Sequence, residues 1–132
     1  MIVLDASAAV EVLLGLKRAA PRLRERMARA GETLHVPELF DLEVLATIRR
    51  HLLRGALTSA RADESIALLA ELRAFRYRHG PLRTRIWELR HNLTPYDAAY
   101  VALAEALAAP LVTVDAALCG VPGVRAHVDV YP

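Results

Sequence analysis

The sequence predicts an α/β fold in which a central, mostly parallel sheet is sandwiched between two layers of helices, and three observations carry that prediction. Short apolar runs, "IVL" at 2–4, "TLHVP" at 33–37 and "LVTVD" at 111–115, have the length and composition of buried strands. Helix-forming stretches separate them, so successive strands are joined by crossovers and run parallel. Breakers fall where elements should stop, at Gly15, Gly31, Gly55 and Pro110.

In chain order, Ile2 to Leu4 form the first strand, and Ala8 to Leu14 turn helical until Gly15. A second helix starts near Pro21, a residue suited to a first helical turn, and ends at Gly31. The strand "TLHVP" is closed by Pro37, and a long helix runs from Glu38 to Arg54, stopped by Gly55. Thr58 or Ser59 caps the next helix, whose apolar face is marked by Ile66, Leu69, Ala70 and Leu72. "FRYRH" makes a short strand broken by "HGP", and Leu82 to Asn92 is read as helical. The clearest helix is "LTPYDAAYVALAEALAA", with Thr94 as cap, Pro95 in the first position and Pro110 beyond its end. "LVTVD" follows as a strand, "AALCG" as one helical turn and "VRAHVDV" as an alternating last strand.

At 132 residues the chain suits one domain spanning 1–132, and 55% hydrophobic residues argue against disorder. Cys119 is the one cysteine, which excludes an intrachain disulfide framework and fits a reducing compartment. Asp5 and Glu11 interrupt the first apolar run, and Glu105 and Pro110 break the one from Ala98 to Val114. Neither a signal peptide nor a membrane span is therefore expected, and the protein is read as soluble and cytoplasmic.

The net charge is only +2, but cations are clustered. Lys17, Arg18, Arg22, Arg24, Arg26 and Arg29 are accompanied by Glu25 alone. Between Arg73 and His91 lie Arg76, Arg78, Arg83, Arg85 and Arg90 against Glu88 alone. Each cluster suits a solvated helix face, and two on one small domain suit a polyanionic partner, since the guanidinium fork matches phosphate. Arg73, Arg76, Arg78, Arg83 and Arg85 are the candidate contacts to such a partner.

In a parallel sheet every strand ends at the same edge, which is where ligands bind. Four acids are predicted there. Asp5 and Asp115 end strands, Asp97 falls in the first turn of the clearest helix, and Glu43 in the second turn of the helix after "HVP". Capping is the competing explanation for Asp5 and Asp115, and "TPYD" is similar to a capping box with Asp97 in its last position. Glu43 sits in the nearly all-apolar "LFDLEVLATI", with Arg50 two turns on as a possible partner. Four converging carboxylates cannot all stay ionised without a counter-charge, and an all-oxygen set favours Mg²⁺ or Mn²⁺ over zinc. One such ion, or two roughly 4 Å apart, would activate water for phosphodiester cleavage. The chain has 17 Lys+Arg against 15 Asp+Glu, so neutralising four acids would leave a surface that attracts a phosphate backbone. Ser7 and Thr113, each two residues from a strand-end aspartate, are candidate supporting hydroxyls.

The segments "IVLDASAAVEVLL", "VPELFDLEVLATIRR" and "LTPYDAAYVALAEALAAPLVTVDAAL" together cover about half the chain. In them the sequence resembles PIN-domain ribonucleases, specifically VapC-type toxins of prokaryotic toxin–antitoxin systems. The resemblance implies a PIN-like three-layer α/β/α sandwich and a metal-dependent endoribonuclease. It carries the catalytic and metal-ligating roles onto Asp5, Glu43, Asp97 and Asp115, with Mg²⁺ as cofactor and Mn²⁺ able to substitute. It further implies a homodimer and a cognate VapB-type antitoxin whose tail occupies the active-site groove. Many relatives carry another acid shortly after the position of Asp115, and "AALCGVPG" supplies none, which leaves the number of ions open. A catalytically impaired PIN fold acting as an RNA- or protein-binding module is the rival reading. A phosphoacceptor receiver domain would need a late strand-end lysine, whereas the one lysine is Lys17. A haloacid-dehalogenase-type phosphatase would need an aspartate where Ser7 stands.

Overall fold

A computed structural model describes residues 1–132 of the chain, and its sheet is parallel throughout. Strands β1 (Ile2–Leu4), β2 (Leu34–Pro37), β3 (Ala74–Tyr77), β4 (Leu111–Thr113) and β5 (Val128–Val130) lie in the order β3-β2-β1-β4-β5. The central strand β1 and its neighbours β2 and β4 are buried along their whole length, as expected of strands covered on both faces. That is why they read as continuous apolar runs rather than alternating ones.

Helices α1 (Ala6–Leu14), α2 (Ala20–Met27), α3 (Phe40–Leu53) and α4 (Ser59–Glu71) pack on one another. The short α5 (Arg83–Glu88) packs on α6 (Pro95–Leu107), which also lies against β1, β2 and β4. The core joins Ile2, Val3 and Leu4 to Val36, Phe40, Val44, Ile48, Val101, Leu103, Leu111 and Val112. Local chemistry sets the ends. Gly15 takes the left-handed conformation (φ 63°) and its N–H closes α1 on the Glu11 carbonyl at 2.8 Å. The Thr58 and Thr94 hydroxyls accept from the N–H of Arg61 and Asp97, at 3.1 and 3.2 Å, capping α4 and α6. Pro95 opens α6, where its missing N–H costs nothing.

Several segments are shorter than the sequence pattern predicts, among them the second helix, which ends at Met27 rather than Gly31. The helix expected from Glu38 begins at Phe40, because the Glu38 N–H still bonds the Tyr77 carbonyl at 2.9 Å and prolongs the sheet by a residue. The stretch from Leu82 to Asn92 is a 3-10 turn at Gly80–Leu82, then α5, then further turns. Of "VRAHVDV" only Val128–Val130 joins the sheet, since the Arg125 N–H is tied to the Glu105 carboxylate at 2.8 Å, against α6.

From β1 the chain builds outward to β2 and β3, then crosses back to place β4 on the opposite side of β1. The carboxyl ends of β1 and β4 therefore flank the point at which successive connections diverge, where a parallel sheet leaves a crevice. No helix is long and apolar enough to cross a membrane.

Candidate functional site

Asp5 follows the last residue of β1 and begins α1, in an extended conformation (φ −73°, ψ 148°), and its side chain makes no capping bond to the helix. Capping is thus excluded as the reason for an acid there. Its Oδ2 instead accepts from the Ser7 hydroxyl and from the Thr113 hydroxyl, the latter at 2.7 Å. The two hydroxyls lie 3.2 Å apart and so tie β1, α1 and β4 together around one carboxylate oxygen. Asp5 is buried, and burial pushes its carboxyl above the usual range; the hydroxyls pull it down, and the nearby Asp97 charge pushes it up again.

Glu43, in the first turns of α3, is half-buried. Its Oε2 accepts from the hydroxyl of Tyr100 on α6 at 2.6 Å, so one bond links the two helical layers. Burial raises the Glu43 carboxyl, the Tyr100 bond lowers it, and the charges of Asp5 and Asp97 raise it further. The Tyr100 hydroxyl is in turn pushed strongly upward by burial, by its bond to Glu43 and by the charges of Glu43 and Asp5. Arg50 is not the partner of Glu43; its guanidinium bonds the Thr47 hydroxyl at 3.0 Å.

Asp97 stands at the third position of α6, its N–H bonded to the Thr94 hydroxyl, which donates back to its carboxylate at 3.2 Å. The cap is real, and the carboxylate still acts on both Asp5 and Glu43. Asp115 is more peripheral. Its N–H bonds the Thr113 hydroxyl at 3.0 Å, but its exposed carboxylate caps the 3-10 turn Ala116–Leu118 through the Ala117 N–H at 2.9 Å. Asp5, Glu43 and Asp97 therefore form one electrostatic cluster, with Asp115 joined to it through the Thr113 side chain.

None of these four acids takes part in any ion pair of the protein. A buried Asp5 and a half-buried Glu43, both raised and both within reach of the Asp97 charge, with oxygen donors only and no cation, fit a hard divalent ion. As they stand, no three of the chain's His, Cys, Asp or Glu side chains are gathered closely enough to cage an ion alone.

The predicted basic residues fare unevenly. Arg76 is committed to Asp41 by two bonds of 2.6 and 2.8 Å, and Arg85 to Glu105, Glu88 and the Gly123 carbonyl. Both are structural ties. Arg73 and Arg83 form no ion pair, and Arg78 reaches Glu38 only at 4.0 Å, so these three keep their charge toward solvent. Sequence reasoning missed Tyr100. The available signal was a tyrosine three residues after Asp97 inside an Ala/Leu/Val helix, since a buried phenol needs a partner.

The profile of the family described as PIN domain matches residues 2–124. The chain is 42% identical over 132 residues to VapC ribonuclease Mb0985 of Mycobacterium bovis, covering 100% of this chain and 99% of that one. It is 38% identical over 129 residues to ribonuclease VapC12 of Mycobacterium tuberculosis, covering 98% of each. In backbone it is similar to the structure of VapBC2 from Rickettsia felis bound to a DNA fragment from their promoter, with a TM-score of 0.72, 14% identity and 100% of both chains covered.

Proposed function

The chain belongs to the PIN domain family, among the VapC ribonucleases, and on that premise we propose that it is a metal-dependent endoribonuclease acting as the toxin of a toxin–antitoxin pair in the cytoplasm. The single observation that supports this most is the buried Asp5 carboxylate, free of any cation, raised by burial and further by the Asp97 charge, at the carboxyl ends of β1 and β4. Asp5, Glu43 and Asp97, with Asp115 beside them, would hold Mg²⁺ or Mn²⁺. When bound, such an ion activates water and stabilises the leaving oxygen in phosphodiester cleavage.

The protein's own part is to hold the acids in place. Ser7 and Thr113 orient one oxygen of Asp5. Tyr100 fixes one oxygen of Glu43 from the opposite helical layer, within reach of the charges of Asp5 and Asp97. Arg73 and Arg83, which form no ion pair, and Arg78, which reaches Glu38 only at 4.0 Å, supply long-range attraction for a polyanion. A VapB-type antitoxin is the partner this reading takes from the VapBC structures the chain is similar to, and a second copy of this chain is the one the family resemblance implies.

The test is cleavage of unstructured RNA in Mg²⁺ or Mn²⁺. Cleavage lost in a chelator and in Asp97→Asn supports the nuclease. RNA bound tightly yet cut in no metal contradicts it and identifies a binding module.

A further inference from the structure

Helix α6 carries two tyrosines four residues apart, Tyr96 and Tyr100, and positions i and i+4 share a helix face with Cβ atoms about 6 Å apart. Their surroundings are opposite. Tyr100 is fully buried, its hydroxyl taken by Glu43, whereas Tyr96 is 62% exposed. Because Cα–Cβ bonds tilt toward a helix's N-terminus, Tyr96 leans toward the start of α6, on the line of Tyr100 and just before Asp97 in the chain. It therefore lies on the face of α6 from which Tyr100 reaches Glu43, one turn nearer the start of the helix.

Two other aromatics are comparably exposed, Phe75 at 59% and Trp87 at 65%. Both have a ring face occupied within the protein. Phe75 stacks on His35 with centroids 5.0 Å apart, and the Arg90 guanidinium lies 5.0 Å from the Trp87 ring centre. No ring and no cation covers Tyr96. An exposed aromatic by itself is ordinary; an uncovered one on the helix face that reaches Glu43 has a specific use. An arginine there would pair with Asp97 and compete with the counter-ion, whereas a neutral ring can hold a nucleotide without disturbing the charge. Every base has a π-face to offer it.

We propose that Tyr96 is a base-stacking residue, which holds a base flanking the scissile phosphate of single-stranded RNA and so positions that phosphate over the acids. This rests on the nuclease reading. The experiment first maps the cut made by the wild type in an unstructured RNA, then walks an abasic nucleotide through the positions flanking the cut. KM and kcat are measured for the wild type, Tyr96→Ala and Tyr96→Trp.

At one flanking position the abasic substrate raises the wild type's KM roughly tenfold or more, the usual worth of a stacked base. Tyr96→Ala raises KM by a similar factor on the intact RNA and is indifferent to the abasic nucleotide there, while Tyr96→Trp behaves as the wild type. A 2-aminopurine at that position is quenched on binding the wild type and not Tyr96→Ala. If Tyr96→Ala keeps wild-type constants, or if its loss multiplies with the abasic loss at every position, the stacking role is overturned while the nuclease stands. If the wild type cleaves no RNA in Mg²⁺ or Mn²⁺, both readings fall, and that result is obtained before any variant is made.

Discussion

Asp5 is an acid whose neighbours hold it in position without neutralising it. Burial and Asp97 set its native titration above the unfolded value, so between the two the folded state binds more protons than the unfolded one. With no metal, its contribution to stability is greatest at low pH and declines as pH rises through the native value. Asp5→Asn should therefore raise the metal-free melting temperature at neutral pH while lowering RNA cleavage by roughly 100-fold or more, beyond what loss of a residue behind a metal ligand costs. A lower melting temperature would show that the carboxylate stabilises the fold. Tyr100→Phe tests the other half of the site. It removes a bond that lowers the Glu43 carboxyl, so Glu43 should titrate higher and Mg²⁺ should bind about tenfold more weakly. Because water can reach the half-buried carboxylate, urea denaturation should register a loss of only about 1 kcal/mol.

At the scale of elements, the strands most legible in the sequence are those buried on both faces. β1, β2 and β4 carry no polar alternation to confuse the reading, and α6 announces itself through Thr94, Pro95 and Pro110. The edges were harder. β3 and β5 are half-exposed, and β5 begins late because a contact from α6 to Arg125 decides where the preceding loop goes. The same non-local cause hid the roles of Arg76 and Arg85, whose partners lie 35 and 20 residues away. At the site, strand ends betrayed Asp5 and Asp115, and the apolar run around Glu43 betrayed its burial. The Tyr100 bond to Glu43 joins two helical layers and is invisible to periodicity. Arg85 has a consequence that can be measured. It links α5, the nearly buried Glu105 of α6 and the Gly123 carbonyl ahead of β5. Arg85→Ala should cost up to about 3 kcal/mol, because Glu105 keeps only Arg125. An unchanged denaturation midpoint would mean that water replaces the pair at no cost.

Across the whole molecule, two sets of titrating groups pull stability in opposite directions with pH. Glu32, Asp41 and Glu105 sit beside cations that outweigh their burial or lie close to it, and all three titrate below their usual range. Their contribution is present above that range and is lost as pH falls through the native values. His35, lowered by burial, acts in the same sense: its contribution is lost as pH falls below the ordinary imidazole range. Asp5 and Glu43 act in the opposite sense, weakening the metal-free protein as pH rises. A divalent cation should cancel that second effect and leave the first. The most direct measurement is therefore the melting temperature of the wild type and of an Asp5→Asn/Glu43→Gln variant, with and without Mg²⁺, from pH 5 to 8. At a concentration 100 times its dissociation constant, Mg²⁺ should raise the wild type by about 10 °C at pH 8 and by clearly less at pH 5. It should leave the double variant nearly unmoved. A wild type indifferent to Mg²⁺ and Mn²⁺ at every pH, or a double variant stabilised as strongly as the wild type, would contradict the account of these acids as a cation site.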